Sequence, residues 1–131
     1  MKLTKHSKNK LLNSFAQYSV PQEYADPLFN YLIYGFNPGS FWTAVLSNDF
    51  LNAMARSHPA NNINALKNVG CWIINEMPHK AYGSYEKVDE WAKLDVGVRR
   101  AYLEEKNLIH TGQDEIVLIL KDVPTTEPIL W

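Results

Sequence analysis

Apolar residues along the first half of the chain recur at three- and four-residue intervals, which is the spacing of one face of an amphipathic helix. In the segment KNKLLNSFAQYSV, Leu11 and Phe15 lie four residues apart, and Pro21 follows as a stop signal. The segment PQEYADPLFNYLIYG shows the same spacing and ends at Gly35, a residue type that commonly terminates helices. We therefore predict two helices in these segments.

The next segment, YGFNPGSFWTAVLSND, begins with a turn and continues as a third helix. Pro38 and Gly39 are typical turn residues, and we predict Ser40 as the helix N-cap. An apolar stripe follows at four-residue spacing, formed by Trp42, Leu46, Phe50 and Met54. We predict that this stripe faces the core.

Asn48 and Asp49 interrupt this stripe, and two interpretations are open. Both residue types cap helices well, so they could divide the segment into two helices. Alternatively, they could lie on the flank of one continuous helix that ends near Arg56. The periodicity alone does not distinguish these alternatives.

A fourth helix is predicted over NNINALKNVGCWIINEMP, which ends at Pro78. Its apolar residues cover a wide face, so we predict a central position for this helix. Gly70 lies on that face and costs about 1 kcal/mol relative to alanine in a helix interior, a cost that a close helix crossing would explain. We predict that Cys71 in the same segment is a small buried apolar residue.

Two more helices and a strand are predicted in the second half of the chain. SYEKVDEWAKL has Ser84 as a good N-cap, and VRRAYLEEKN continues the helical pattern. The residues from Ile116 to Leu120 are all aliphatic, which predicts a buried strand. Residues 108–110 could pair with this strand across a turn, and residues 121–131 are predicted as an extended tail.

The whole pattern predicts a mainly α protein, a compact bundle of about five to six short helices with a small C-terminal β element. The chain of 131 residues fits a single domain over residues 1–131. Residues 1–10 are predicted as a basic N-terminal arm, because they contain four lysines and no acidic residue.

Composition and charge then narrow the classes of partner. Hydrophobic residues make up 46% of the chain and charged residues 21%, which is a globular balance rather than a disordered one. The formal net charge is −1, so no overall attraction to nucleic acid or to an anionic membrane is expected. We therefore predict neither nucleic acid nor a membrane as a partner.

Cysteine usage and the absence of long apolar runs predict the compartment. Cys71 is the only cysteine, so an intramolecular disulfide is impossible and a reducing environment is favoured. No apolar run approaches about 18 residues, and the N-terminus lacks the apolar region of a signal peptide. These features predict a protein of the cytoplasm.

The first candidate site combines Asn48, Asp49 and Arg56. Asp49 and Arg56 are seven residues apart, so they share one side of the segment if its helix is unbroken. One interpretation is a surface or helix-junction network in which Asp49 caps a helix. The other is a ligand pocket in which Arg56 binds an anion and amide groups fix its orientation.

The second candidate site is a row of asparagines on the predicted fourth helix, formed by Asn61, Asn64, Asn68 and Asn75. Asparagine is a mediocre helix former, so its repeated use is unexpected. The row is either a solvated face or a set of donors and acceptors that binds the edge of a nucleobase.

The third candidate site is the loop that contains Lys80, Tyr82 and Ser84. A Gly-Ser helix start offers free amides and the positive end of a helix dipole, which suits an anion or a phosphate. Because such caps are also ordinary structural features, the loop alone indicates little about function.

Sequence motifs for metal binding or catalysis are not found. The histidines lack partners at metal-ligand spacing, and HExxH, CxxC, GxSxG and Walker patterns are missing. Asp49 or Glu76 could do acid–base chemistry with His58 only within a suitable pocket. We therefore predict no metal, no cofactor and no catalytic residue.

Four segments in the middle of the chain resemble a family of small accessory proteins of tailed phages and prophages, namely YLIYGFNPGSFWTAVLSNDF, SHPANN, WIINEMP and AYGSYEKVDEW. They occur in the family's order within residues 31–91, a stretch that spans nearly half of the chain. The resemblance implies a phage origin and a non-structural accessory role in the host cytoplasm. It implies no activity, because the family has none assigned.

Together these observations predict a non-enzymatic binding protein that interferes with the host. Its partner would be a host protein or a small nucleotide signal of antiviral defence, and its action would be binding or sequestration.

Other functions and a further partner are open. The segment RRAYLEEKNLIHTGQDEIVLIL is similar to a helix and wing of winged-helix DNA-binding regulators, although Glu104 and Glu105 lie in the would-be recognition helix. A small nucleotide hydrolase that uses Asp49 is the third hypothesis. Self-association through the predicted C-terminal strand is also open.

Overall fold

Seven α-helices follow one another in the computed structural model, which describes residues 3–58 and 61–109. Their bounds are α1 Lys5–Gln17, α2 Ala25–Tyr34, α3 Ser40–Leu46, α4 Phe50–Arg56, α5 Ile63–Glu76, α6 Tyr85–Lys93 and α7 Val96–Glu105. Two 3-10 turns, Gln22–Tyr24 and His79–Ala81, come before α2 and α6. The prediction of a mainly helical protein is confirmed for the described residues, whereas the strand predicted from Ile116 to Leu120 and the predicted tail lie outside them.

An aromatic cluster joins α1, α2 and α5 in the core. The ring centroid of Phe15 lies 4.4 Å from that of Phe29 and 4.8 Å from that of Trp72, and all three side chains are buried. The indole Nε1 of Trp72 donates a hydrogen bond to Ser14 Oγ at 3.0 Å. The large ring is therefore buried without leaving its only donor unpaired.

α6 and α7 close the C-terminal end of α2. Trp91 of α6 is fully buried and donates from Nε1 to the carbonyl oxygen of Leu32 at 3.3 Å. Arg99 of α7 is 5% exposed, and it donates from Nε to the Ile33 carbonyl at 3.1 Å and from Nη1 to the Leu94 carbonyl. The last carbonyls of a helix have no partner within the helix, and these two side chains supply partners for two of them in α2.

Gly35 ends α2, as predicted. It adopts the left-handed conformation with φ of 73°, which glycine reaches without steric cost. A Cβ atom at this position would lie 2.6 Å from the Ala92 carbonyl oxygen of α6. The close approach of α6 therefore requires glycine here as much as the backbone conformation does.

The two predicted serine caps have different outcomes. The cap at Ser84 is confirmed, since its Oγ accepts a hydrogen bond from the Lys87 N–H at 3.1 Å. The cap at Ser40 is wrong, because Ser40 is the first helical residue and Gly39 occupies the N-cap position without a side-chain bond. Asn37 holds this turn instead, since its Oδ1 accepts from the Gly39 N–H at 2.8 Å.

The segment predicted as the third helix is divided in two at Asn48 and Asp49. Asn48 adopts the left-handed conformation, with φ of 61°, just after α3. Its N–H donates to the Val45 carbonyl at 3.1 Å, and the Asp49 N–H donates to the Ala44 carbonyl at 2.9 Å, which is a Schellman termination. Asp49 then acts as the N-cap of α4 by accepting from the Asn52 N–H at 3.3 Å. The two-helix interpretation is confirmed, and this break adds a helix to the five or six predicted.

The break corrects the prediction for Phe50 and Met54. Trp42 and Leu46 of α3 are buried as predicted, but Phe50 is 71% exposed and Met54 is 44% exposed. Four-residue spacing keeps side chains on one face only while the helix axis continues. Because the chain turns at Asn48, the second half of the predicted stripe leaves the core.

Gly70 and Cys71 of α5 also differ from the predictions. A Cβ atom at Gly70 would have no neighbour within 4 Å, so no helix crossing within the described residues accounts for this glycine. Cys71 is exposed rather than buried. α5 contacts α1 through Trp72, and successive helical residues are about 100° apart, so Cys71 is turned away from that contact.

Most of the predicted basic arm belongs to α1. The helix begins at Lys5, and both Leu3 and Ser7 are buried. Lys10 donates from Nζ to Asn107 Oδ1 at 2.6 Å. Because Asn107 lies two residues after the end of α7, this bond connects α1 with that end of the helix. Lys5, Lys8 and Lys10 are therefore carried on a helix that packs against the body of the protein.

Candidate functional site

A groove opens between α3–α4 on one side and α5 on the other. Its volume is about 550 Å³, and typical ligand pockets range over ~300–1,000 Å³. Most of its lining residues are apolar, including Met54 of α4 and Leu66 of α5, and the polar ones in the described chain are Asn48, Asp49 and Lys67. The groove is therefore suited to apolar groups.

α4 is the more exposed wall of this groove. Of its residues, all of which are described, Ala53 alone is buried, and α4 packs chiefly on α3. Phe50 and Met54 line the groove and are 71% and 44% exposed, and Ile63 at the start of α5 also lines it and is 76% exposed. Large apolar side chains that cluster at a surface mark interaction sites, so this cluster is the leading candidate for a functional surface.

Asp49 links the start of α4 to the start of α6. Its Oδ2 accepts hydrogen bonds from Asn52 Nδ2 and Tyr85 OH, both at 2.7 Å. The bond from Asn52, then that from Tyr85, and more weakly the charge of Arg56 lower the pKa of Asp49 below its ordinary value of 3.8. The bond to Asp49 also raises the pKa of Tyr85. Asp49 is therefore ionised at neutral pH, with much of its acceptor capacity already in use.

Asn48 and Arg56 flank this carboxylate. Asn48 is exposed and lines the groove. Arg56 is exposed at the end of α4, and in the described chain it acts on Asp49 through its charge without a direct ion pair. The helix junction accounts for the hydrogen bonds of Asn48 and Asp49, while the ligand-pocket interpretation of the three residues stays a prediction.

Three residues of the asparagine row bond within the chain. Asn61 accepts from the Tyr24 hydroxyl at 3.5 Å. Asn68 donates to a carbonyl just past the end of α1 at 3.3 Å, and Asn75 donates to a carbonyl one turn back in α5 at 2.9 Å. Asn64 is exposed. These bonds leave the row with fewer free donors for the edge of a nucleobase.

The loop residues of the third candidate site lie in separate surroundings. Lys80 lines a smaller pocket of about 260 Å³ together with Tyr102. The ring of Tyr82 packs against that of His79, with 5.9 Å between centroids. Ser84 caps α6 next to the residue that bonds to Asp49. The described pockets therefore do not bring Lys80 and Ser84 together around one anion.

The arginines of α7 are turned into the protein. Arg99 bonds to carbonyl groups, as described above, and Arg100 forms an ion pair with Glu104 in which the two side chains are 14% and 17% exposed. A helix that reads DNA presents its basic side chains to the nucleic acid. α7 has neither of these cations free for that role.

Neither a metal centre nor a membrane-spanning helix occurs in the described ranges 3–58 and 61–109. No group of three or more His, Cys, Asp or Glu side chains there is arranged to hold a metal ion. None of the helices there combines the length and apolar character needed to cross a membrane.

Glu76, a predicted partner for His58, accepts a hydrogen bond from Tyr18 OH at 2.9 Å.

Nothing in the sequence predicts the apolar walls of the groove or Tyr85 as functional. Phe50 and Met54 fit the pattern of core residues. The one sequence signal against a core position for them is the capping preference of the Asn48-Asp49 pair, which favours a helix break before Phe50. Tyr85 follows Asp49 by 36 residues, and no local pattern connects a hydroxyl with a carboxylate at that separation.

No family model matches the chain, and no curated protein or solved structure is significantly similar to it. The resemblance to phage accessory proteins therefore stays a prediction. The chemistry of the groove is the basis on which a function can be proposed.

Proposed function

We propose that this protein is a non-enzymatic binding protein and that the groove between α3–α4 and α5 binds a protein of the host cell. The observation that carries the proposal is the set of exposed apolar side chains that line the groove, namely Phe50, Met54 and Ile63. Apolar surface is unfavourable in water, and a partner that covers it gains free energy in proportion to the area removed from water.

The chemistry of the groove favours a protein over a small nucleotide. A nucleotide carries phosphates and a base edge, which need several cations and hydrogen-bonding groups. Among the described lining residues the groove has Lys67 as its one cation, and the ionised Asp49 would repel a phosphate. The nucleotide hypothesis therefore has less support than the protein hypothesis.

We propose interference with antiviral defence as the role of such a binding protein, because phages use small accessory proteins for this purpose. A small protein without a catalytic motif can act by occupying the surface that a host protein needs for its own partner. This role places its action in the host cytoplasm, where such a target would be found.

Native mass spectrometry of the full chain, purified from phage-infected or defence-bearing bacterial cells, tests the proposal. Ile63→Glu puts a charge at the groove and should remove a protein that co-purifies. Ile74→Glu is the matched control, because Ile74 is a 65% exposed isoleucine of the same helix that does not line the groove. Both are surface positions, so the free energy of unfolding of each variant should differ from that of the parent chain by no more than about 0.5 kcal/mol.

The two variants make the outcomes specific. A host protein of defined mass that is lost with Ile63→Glu and retained with Ile74→Glu would support the proposal. A nucleotide that co-purifies instead, or a chain that carries no partner in either kind of cell, would contradict it.

A further inference from the structure

We infer that the occupant of the groove is an amphipathic helix of the partner, with about three large apolar side chains on its buried face and a carboxylate on the edge that faces α5. The inference rests on the proposed function, because it names the kind of partner segment that the same groove takes.

The backbone of the occupant is the first reason to infer a helix. Every N–H and C=O group that is buried away from water needs a hydrogen-bond partner. An extended segment would have to find these partners in a groove whose polar lining side chains, within the described chain, are Asn48, Asp49 and Lys67. The walls are helices whose interior backbone groups bond to each other. A bound helix satisfies its own backbone and inserts side chains only.

The dimensions of the groove are the second reason. A cavity of about 150 Å³ holds one benzene-sized group. The volume of the groove, about 550 Å³, therefore offers room for about three large apolar side chains. Its outer wall, α4, has 7 residues. At 1.5 Å per residue such a helix is about 10 Å long, and apolar anchors at positions i, i+4 and i+7 of a bound helix span about the same length.

The charges at the groove indicate the edge of the bound helix. Lys67 is exposed on α5, lines the groove and has no bonded partner within the described residues. Asp49, on the opposite wall, already accepts hydrogen bonds from Asn52 and Tyr85. Among the described lining residues, Lys67 is therefore the cation without a bonded partner, and it lies on the α5 side, where a carboxylate of the partner would complement it.

Two synthetic helical peptides of about 16 residues test this inference on the full chain. They share leucines at positions i, i+4 and i+7 and differ only along one edge, which carries glutamates in the first peptide and lysines in the second. Fluorescence anisotropy gives the Kd of each peptide for the parent chain, for Lys67→Glu and for Lys5→Glu. Lys5 is an exposed lysine of α1 outside the groove, so Lys5→Glu controls for the change in net charge.

The expected result is a preference that follows Lys67. The parent chain and Lys5→Glu should bind the glutamate peptide about threefold to tenfold more tightly than the lysine peptide at low salt, as expected when an exposed attraction replaces a repulsion. Lys67→Glu should invert the preference. A general effect of apolar area would not depend on the sign of the charge at one position.

Several results would overturn the inference. Equal affinity for the two peptides, or a preference that Lys67→Glu leaves unchanged, would contradict the inference that a carboxylate lies on the edge of the bound helix. Tighter binding of a proline-substituted peptide or of dodecanoate than of the helical peptides would contradict the inference that the occupant is a helix. So would a failure of both peptides to bind, or a dimer in sedimentation that Ile63→Glu dissociates, since a second copy would then occupy the groove.

Failure of this inference can be told apart from failure of the proposed function. If neither peptide binds but a host protein still co-purifies and is lost with Ile63→Glu, the groove binds a protein by another mode. If the peptides bind and no host protein co-purifies, the groove accepts a helix but the proposed cellular partner is wrong.

Discussion

The C-terminal end of α2 and the groove beside α4 use polar and apolar side chains in opposite ways. At the end of α2, Arg99 is 5% exposed and bonds to carbonyl groups beside the fully buried Trp91. At the groove, Phe50 and Ile63 are 71% and 76% exposed. In the first region an arginine lies inside the protein, and in the second a phenylalanine lies outside it.

In these two regions, burial depends on how a helix ends as much as on residue type. The unpaired carbonyls at the end of α2 need donors, and the donors of Trp91 and Arg99 meet that need inside the protein. The Schellman termination at Asn48 redirects the chain and carries Phe50 into solvent. The first region is complete by itself, whereas the second leaves apolar surface that another molecule can cover.

The largest expected effect separates two aromatic residues, one from each region. Trp91→Ala should lower the free energy of unfolding by about 3–5 kcal/mol, because it leaves a large cavity and an unpaired carbonyl at Leu32. Phe50→Ala should change it by less than about 0.5 kcal/mol, because that ring is already largely in water. Urea unfolding followed by far-UV circular dichroism measures both.

A cost of about 2 kcal/mol or more for Phe50→Ala would contradict the exposure of this ring, because it would mean that the groove is covered in solution. If Trp91→Ala does not fold, Trp91→Phe is the milder variant. It keeps most of the ring volume but removes the Nε1 donor, and it should still cost about 1–3 kcal/mol.

The next prediction compares two glycines, whose replacement by alanine should change the free energy of unfolding in opposite directions. Gly35→Ala should destabilise the protein by about 2 kcal/mol or more, because alanine is strained in the left-handed conformation and its Cβ would meet the Ala92 carbonyl. Gly70→Ala should stabilise it by about 0.5–1 kcal/mol, because a Cβ there has open space and alanine is the better helix former. Thermal unfolding of both variants tests the pair.

A loss of stability for Gly70→Ala would contradict the open flank of α5 and would indicate close packing there in solution. An unchanged midpoint for Gly35→Ala would contradict the close contact between α2 and α6. Gly97→Ala in α7, where a Cβ also has no neighbour within 4 Å, controls for the intrinsic preference of alanine for helices.

The smallest expected effect concerns the Asp49 junction and depends on pH. Because the folded protein holds the pKa of Asp49 below its ordinary value of 3.8, the ionised carboxylate stabilises the fold above that value. This contribution is lost as the pH falls through the lowered pKa. Asp49→Asn keeps a good N-cap without the charge, so the parent should be more stable than the variant at about pH 7 and should lose this advantage as the pH falls below 3.8.

Urea midpoints of both chains across this range decide the question. A difference between parent and variant that stays constant with pH would show that ionisation of Asp49 does not stabilise the junction. Tyr85→Phe removes the hydroxyl that Asp49 accepts from, so it should reduce the pH dependence without changing the cap residue.

Local sequence patterns are enough to predict which of the described segments are helical and where several of these helices begin or end. Gly35 and Ser84 act on the three to five residues nearest to them, because caps and helix hydrogen bonds are local. The Asn48-Asp49 pair is identified as a candidate junction for the same reason. The groove is not identified, because caps and helix hydrogen bonds do not set how the consecutive helices α3, α4 and α5 pack against each other.

Which faces of these helices are covered depends on the packing of the folded chain. Phe50 and Cys71 fit core patterns and are exposed, whereas Arg99 fits a surface pattern and is buried. A sequence pattern can place a side chain on one face of a helix. Whether that face meets another helix or water depends on segments distant in the chain, because hydrophobic burial has no direction of its own and follows the contacts that the whole fold makes.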